Sequence, residues 1–506
     1  MFYGAEGLRN QNLRNPLHRL HSAIIRADMS LMDGDHMAQW STYPKGIDTR
    51  GDNRVETKLT GGVYTGINSF DIKDNQSVNE YGWDTDQFFP AKSTALGPTA
   101  YGSSGGAITR LLTSFGNVHM VRAVGAKLQY DNAGTWTDVA GTYTNTVWQS
   151  ANFDVGGAAL ILTNGTDTVK YWNGSSLQDL TAAPKGRIIA ADNLRVFISG
   201  VTGENGDEIH YCAFQNATDW SSAENSGIVQ YYTANGGPLT AMIAFGGQIW
   251  VFKKDSFALI YHTGDARAFY RLVPSSDNIG CINSNTLVDM GSALMWLASD
   301  DVYIGAAGAA NRIGEPVRTF INRINQSAIG NACAFSDGIR YYLCIPIDGS
   351  TYPNVRLVYD QRFQIWSVSR INENFLFGIN FNDKVYASDS SGQTFNVKGG
   401  PTSGTSLVET KDFDRSEAEK EYDQVHVQYY AASGTFVTIQ ASVDQGITWY
   451  TVGEPVTASA SAQNQNVIIP LDVVPLANWI RFRFIVTGTF RLYGFERWFK
   501  THPVQY

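Results

Sequence analysis

Ser442, Asp444, Gly446 and Trp449 stand in the run Ser-Val-Asp-Gln-Gly-Ile-Thr-Trp, a full match to the Asp box S-x-D-x-G-x-T-W. At that spacing an aspartate can accept N–H groups across a tight hairpin while the tryptophan packs beneath it, so the expected work is holding a turn. A second run, Gly102-Ser-Ser-Gly-Gly106, satisfies G-x-S-x-G, the elbow that exposes a nucleophilic serine between a buried strand and a helix. The residues before it, Lys92 to Tyr101, do not form a buried-strand pattern, and a loop is expected instead. His18 and His21 could offer two nitrogens to a metal, but no third ligand is placed to complete the set. No Walker glycine loop, H-E-x-x-H or calcium loop occurs. Cys212, Cys281, Cys333 and Cys344 form no C-x-x-C pair and read as buried thiols, with a Cys333–Cys344 disulfide left open. The chemistry-bearing residues therefore point away from an enzyme, and no catalytic residue, cofactor or metal is expected.

The elements that would position these residues change along the chain. Leu13, Leu17, Leu20 and Ile24 fall on one stripe of a helix flanked by Arg9, Arg14, Arg19 and Arg26, which makes residues 1–60 an N-terminal arm with a short basic amphipathic helix. Such a helix either packs on its own domain or docks on a partner subunit. From 61 to 400 the pattern is short apolar runs of period two or none, separated by Gly, Asn, Asp and Ser clusters. Residues 317–324 are the one stretch there that could be helical, so a parallel βαβ fold is not expected. Trp136, Trp172, Trp220 and Trp366 recur near the ends of units of roughly 40 to 50 residues, a repeat length that suits four-stranded blades. The expectation is all-β: a propeller of about six or seven blades over 61–400. Two β-sandwiches in series are the structural alternative. Lys398 to Ser406 reads as a linker, and the strict alternation in 401–506 reads as a C-terminal β-sandwich.

Composition sets the outer limits. With 12 Trp, 25 Tyr and 26 Phe and only 17% charged residues, the chain can bury a large core. Glycine, at 49 of 506 residues, exceeds the usual ~7% and fits many tight turns. The net charge of -9 repels phosphate backbones, so nucleic acid would not be gripped. The opening residues lack the apolar core of a signal peptide, and no run approaches a membrane span, so a soluble, non-secreted chain with no membrane partner is expected.

Several stretches carry a family resemblance. Gly61–Asn68 with Asp71–Ser77, Arg187–Phe197 with Ile209–Cys212 and Asn216–Trp220, and Gly246–Phe257 running through Cys281 to Met295–Tyr303 resemble the tail nozzle and neck proteins of short-tailed bacteriophages, also known as packaged-DNA stabilisation or tail tubular proteins. The likeness spans about residues 60 to 400, in loose strand-and-turn motifs, and does not cover the arm. It implies a virion protein of the tail: a homo-hexameric ring bound to the adaptor ring below the portal and to other tail proteins such as fibres or a needle. Such a ring extends the DNA channel and helps retain packaged DNA until ejection, with genomic DNA passing through unbound. The acidic balance agrees with a conduit through which DNA slides. The alternative reading is a glycan-binding or glycan-cleaving propeller, motivated by the Asp box and the aromatic content. A sialidase-like enzyme would carry several Asp boxes inside the propeller and a Phe-Arg-Ile-Pro run near its start, and here one box lies outside it and that run is missing.

Overall fold

Runs without periodicity, such as Ala158–Thr163, Val196–Ser199 and Leu294–Leu297, are buried on both faces, because each is the inner strand of a sheet with neighbours packed above and below. Alternating runs such as Phe436–Ser442 bury every second residue and belong to sheets with one covered face. This division follows a computed structural model that describes residues 52–502 except 86–90, 223–224, 235–236, 266–267, 403 and 459–463. The helical stripe Arg9, Leu13, Arg14, Leu17, Leu20 and Ile24 lies outside the described residues, as do His18 and His21. The chain divides into a unit of residues 1–52 and a second of 53–506.

Seven four-stranded antiparallel sheets make the blades of a β-propeller. Blades 1 to 6 are built from strands consecutive in sequence, within residues 109–139, 149–179, 188–230, 241–276, 288–312 and 333–371. Blade 7 takes Phe375–Phe381, Lys384–Asp389 and Thr394–Asn396 from the late chain and receives its fourth strand, Thr99–Tyr101, from before blade 1. That pairing closes the ring by completing blade 7 from both ends of the propeller segment. Packing between blades is aliphatic between blades 2 and 3 and aromatic at other interfaces. Trp250, Phe252, Phe257 and Trp296 stack between blades 4 and 5, and Phe115, Trp172 and Tyr130 between blades 1 and 2. The possible helix near residue 317 is present as the single α-helical turn Arg318–Ile321. All four cysteines are buried thiols, with Cys333 and Cys344 facing each other across paired strands of blade 6.

The sandwich differs from expectation in where its strands come from. One six-stranded sheet joins Trp83–Thr85 and Lys92–Thr94 to Phe490–Thr501, Lys420–Ala431 and Asn464–Pro470, with Asp52–Thr57 also paired to Phe490–Thr501. The other joins Ser77–Tyr81 to Thr405–Thr410, Arg481–Thr487 and Phe436–Ser442. A single core between them holds Trp83, Val408, Val427, Phe482, Phe484 and Phe495. Residues 61–94 therefore belong to the sandwich and its margin, not to the propeller, and the sandwich does not begin at 401. It is one domain interrupted by an inserted propeller of residues 99–396. A propeller boundary at residue 60 fails because alternation marks a strand without naming its partner, and Ser77–Tyr81 finds that partner more than 320 positions later.

This arrangement has a direct consequence for fragments. Residues 401–506 alone lack Trp83 and the strands of 52–94, and are expected to stay unfolded. A chain in which a short Gly/Ser linker replaces residues 98–399 is expected to fold, as read by dispersion of amide NMR signals.

Candidate functional site

The Asp box forms the turn between Phe436–Ser442 and Tyr450–Thr451. Ser442 Oγ donates to Asp444 Oδ1 at 2.8 Å and accepts the Gly446 N–H at 2.9 Å. The Thr448 N–H reaches both Asp444 oxygens, at 2.8 and 3.0 Å, and Trp449 Nε1 donates to the Gly446 carbonyl at 2.9 Å. Gly446 has φ +88, a left-handed conformation that glycine adopts without strain. The little burial Asp444 has pushes its carboxyl up, and the bonds from Thr448 and Ser442 outweigh it and hold the carboxyl below its usual range. Arg483 lies 3.8 Å over the Trp449 ring and pairs with Glu409. Ser442, Asp444, Gly446 and Trp449 thus come together as a fastened corner whose carboxylate is occupied by the turn itself. Asp444→Ala is expected to cost about 1–2 kcal/mol in chemical denaturation, from lost turn bonds alone.

The G-x-S-x-G run is a loop bound to blade 7. Gly105 N–H donates to the Gly392 carbonyl, Ser104 Oγ to the Ser391 carbonyl, and the buried Arg122 to the Ser103 carbonyl. Glu204, Glu208 and His210 on blade 3 bring three donor atoms within 4.8 Å of one another. Glu204 is exposed and Glu208 and His210 are half-buried, and His210 contacts Glu204 directly at 2.6 Å, an arrangement ordinary for groups near a surface. Among the described residues no helix is long and apolar enough to cross a membrane.

A cluster of buried charge lies where propeller and sandwich meet, and sequence reasoning did not single it out. Asp360 of blade 6 accepts from Thr85 Oγ1 of the sandwich at 2.6 Å, Arg340 Nε at 3.1 Å and Arg362 at 2.6 Å, while Arg340 also donates to the Thr85 carbonyl at 2.9 Å. Beside it the buried Glu80 pairs with Lys92 and accepts the Val368 N–H of blade 6 at 3.2 Å. Arg370 donates to the Ala95 carbonyl at 2.6 Å. Val63 packs into the core of blades 5 and 6, and its N–H donates to the Trp366 carbonyl. The preceding Gly62 has φ +75, and a Cβ there would sit 2.6 Å from that same carbonyl, so a side chain is excluded. The crossing strands themselves are bonded, Gly97 to Pro401 and Gly400 to Gly97. A signal was available at Glu80, a charge inside the short run Ser77–Tyr81, since a charge so placed is buried only when paired.

Where the chain leaves blade 7, Lys398 reaches Asp337 of blade 6 at 2.9 Å. Burial pushes the Asp337 carboxyl up, but Lys398, the Tyr342 hydroxyl and the Arg340 N–H overcome this and hold it down to about 2. Against ~3.9 in the unfolded chain, this contribution to stability is fully present above about pH 4 and is lost as pH falls through about 2. It is on the order of 2 kcal/mol. Lys398→Met is expected to remove most of it, so urea unfolding curves of the two proteins should differ at pH 5 and converge near pH 2.

Near the propeller axis the first strands of blades 1, 2, 6 and 7 and the turn that enters blade 5 line an open cavity of about 260 Å³, with Thr113, Gln149, Ser150 and Asn285 beside Leu112 and Phe377. Gln149 Nε2 donates to Ser284 Oγ at 2.6 Å, a bond from blade 2 to the turn that enters blade 5. The axis is bridged at that level.

No protein-family model matches this chain, and no curated protein does. Among solved structures it is similar to YCF48 bound to D1 peptide, at 10% identity over 62% of this chain and 96% of that one, with a TM-score of 0.40. It is also similar to BamB from Moraxella catarrhalis, at 12% identity over 64% and 98%, with a TM-score of 0.37. A third, the extracellular domain of the one-component system BT4673 from B. thetaiotaomicron, reaches a TM-score of 0.42 at 8% identity, covering 71% of this chain and 48% of that one. Likenesses this distant carry nothing about activity or partners, and the propeller rests on its own strand pairing.

Proposed function

We propose that this chain is a structural virion protein: the nozzle ring of a short bacteriophage tail, homo-hexameric, seated on the adaptor ring and extending the DNA channel beneath the portal. The observation that carries the reading is the junction. A propeller inserted into a sandwich and pinned to it where Asp360 and Arg340 meet Thr85 and where Glu80 accepts the Val368 N–H behaves as one stiff body, which suits a part that must keep its shape while packaged DNA presses on it. The resemblance of residues 60–400 to nozzle and neck proteins supplies the family context. The conduit in this reading is the lumen between copies, because a bridged cavity of about 260 Å³ cannot admit a duplex whose major groove alone is ~12 Å wide. The net charge of -9 favours DNA sliding past it. The alternative of glycan cleavage draws no support from the Asp box, whose carboxylate is taken up by its own turn.

Negative-stain microscopy and light scattering of the purified full chain, alone and with an adaptor ring, test the proposal. Closed rings are expected. A protein that stays monomeric at high concentration and is missing from phage particles would refute it. Removing residues 1–27, with Arg9, Leu13, Arg14, Leu17, Leu20 and Ile24, is expected to leave thermal unfolding unchanged and to abolish docking on the adaptor.

A further inference from the structure

A second concavity, of about 420 Å³, lies where the ring closes, between blades 7 and 1. Its volume falls within the range of small-molecule sites, ~300–1,000 Å³, whereas the axial cavity falls below it. Tyr101 comes from the closing strand, His119 and Asp131 from blade 1, and Phe381, Lys384 and Tyr386 from the late strands of blade 7. The polar groups are held in place. Tyr101 Oη donates to Asp131 Oδ2 at 2.9 Å, the Gly134 N–H donates to Asp131 Oδ1 at 2.8 Å, and His119 Nδ1 donates to the Asp131 carbonyl at 2.7 Å. The Tyr101 and Tyr386 rings meet edge to face at 4.9 Å. Burial and the neighbouring carboxylate push the Tyr101 hydroxyl well up, so it serves as a fixed donor and not as a nucleophile.

Two hairpin tips form the rim. Ala133 at φ 51 and Asn382 at φ 50 both adopt left-handed conformations, and for alanine that costs ~1 kcal/mol. Strain of this kind persists where the surroundings fix it, and here it sets the exposed Asn132 and Asn382 amides at the mouth.

The charges select the ligand class. An anion would meet the buried Asp131 carboxylate, and a cation would meet the Lys384 ammonium, which has no ion-pair partner among the described residues. Aromatic walls, two amides, one fixed carboxylate and one ammonium instead match a neutral ring carrying many hydroxyls, each able to donate and accept. We propose that this cleft is a binding site for a neutral saccharide unit, clasped across the seam of the propeller. It does not rest on the ring assembly proposed above.

The test uses the full chain, with cellobiose, maltose, lactose and diacetylchitobiose as probes in saturation-transfer NMR and titration calorimetry. Sialyllactose and inorganic phosphate serve as charged comparators. Saturable millimolar binding of at least one neutral disaccharide is expected. It should weaken about tenfold in Asn382→Gly, which keeps the turn conformation, or in Lys384→Ala, as for the loss of one hydrogen bond to the ligand. Both positions are exposed, so unchanged melting curves would confirm intact folds. Absence of binding by every neutral sugar, binding that neither variant weakens, or tighter binding of sialyllactose or phosphate would each overturn the assignment.

Discussion

The pairing of Thr99–Tyr101 with Thr394–Asn396 is the constraint on which the rest of the molecule depends. By completing blade 7 with one strand from the start of the inserted segment beside three from its end, it makes the chain enter and leave the propeller at the same blade. The two crossings are then close enough to bond to each other through Gly97, Gly400 and Pro401. Only because they emerge together can Lys92–Thr94 and Thr405–Thr410 enter adjacent sheets of one sandwich. Ring closure and sandwich assembly are thus a single topological event. The loop-closure cost is large in residues but grows only with the logarithm of their number.

Much of this was legible in the sequence, and the failures have a physical cause. Apolar runs such as Ala158–Thr163 and alternating ones such as Phe436–Ser442 announced two kinds of strand, and Trp136, Trp172 and Trp366 lie buried in three different blades as their spacing suggested. The Asp box is a local motif, and its geometry is local too: every bond it makes in the turn lies within four residues. Partnership between distant strands has no such signature. Ser77–Tyr81 carries the pattern of any half-buried strand, so its membership of the sandwich could not be read from itself. The cleft residues Tyr101, His119, Asp131 and Lys384 are equally silent, because they are gathered by blade stacking and share no spacing.

The buried charges at the junction are an energetic choice with a structural meaning. An apolar contact between sandwich and blade 6 could slide, since apolar packing is not directional. Asp360 engaging Thr85, Arg340 and Arg362 together, and Glu80 engaging Lys92 and the Val368 N–H, can be satisfied in only one arrangement. Desolvation removes much of what such pairs could add to stability, but breaking one leaves an uncompensated charge and costs about 3–5 kcal/mol. The network therefore fixes the angle between the domains more than it strengthens either.

A fixed angle bears on where this molecule can act. With its axis bridged by Gln149 and Ser284 and its domains unable to hinge freely, the chain has little scope for a mechanism based on internal opening. The surfaces that this rigidity presents outward include the blade rims, the sandwich faces and the seam cleft. Rigidity also lowers the cost of association, because side chains and loops already in place lose less freedom on contact. For the ring proposed above, a stiff two-domain body would supply such preformed surfaces. The seam couples to that same body, since anything held across Tyr101 and Lys384 bridges the two chain segments whose pairing closes the ring.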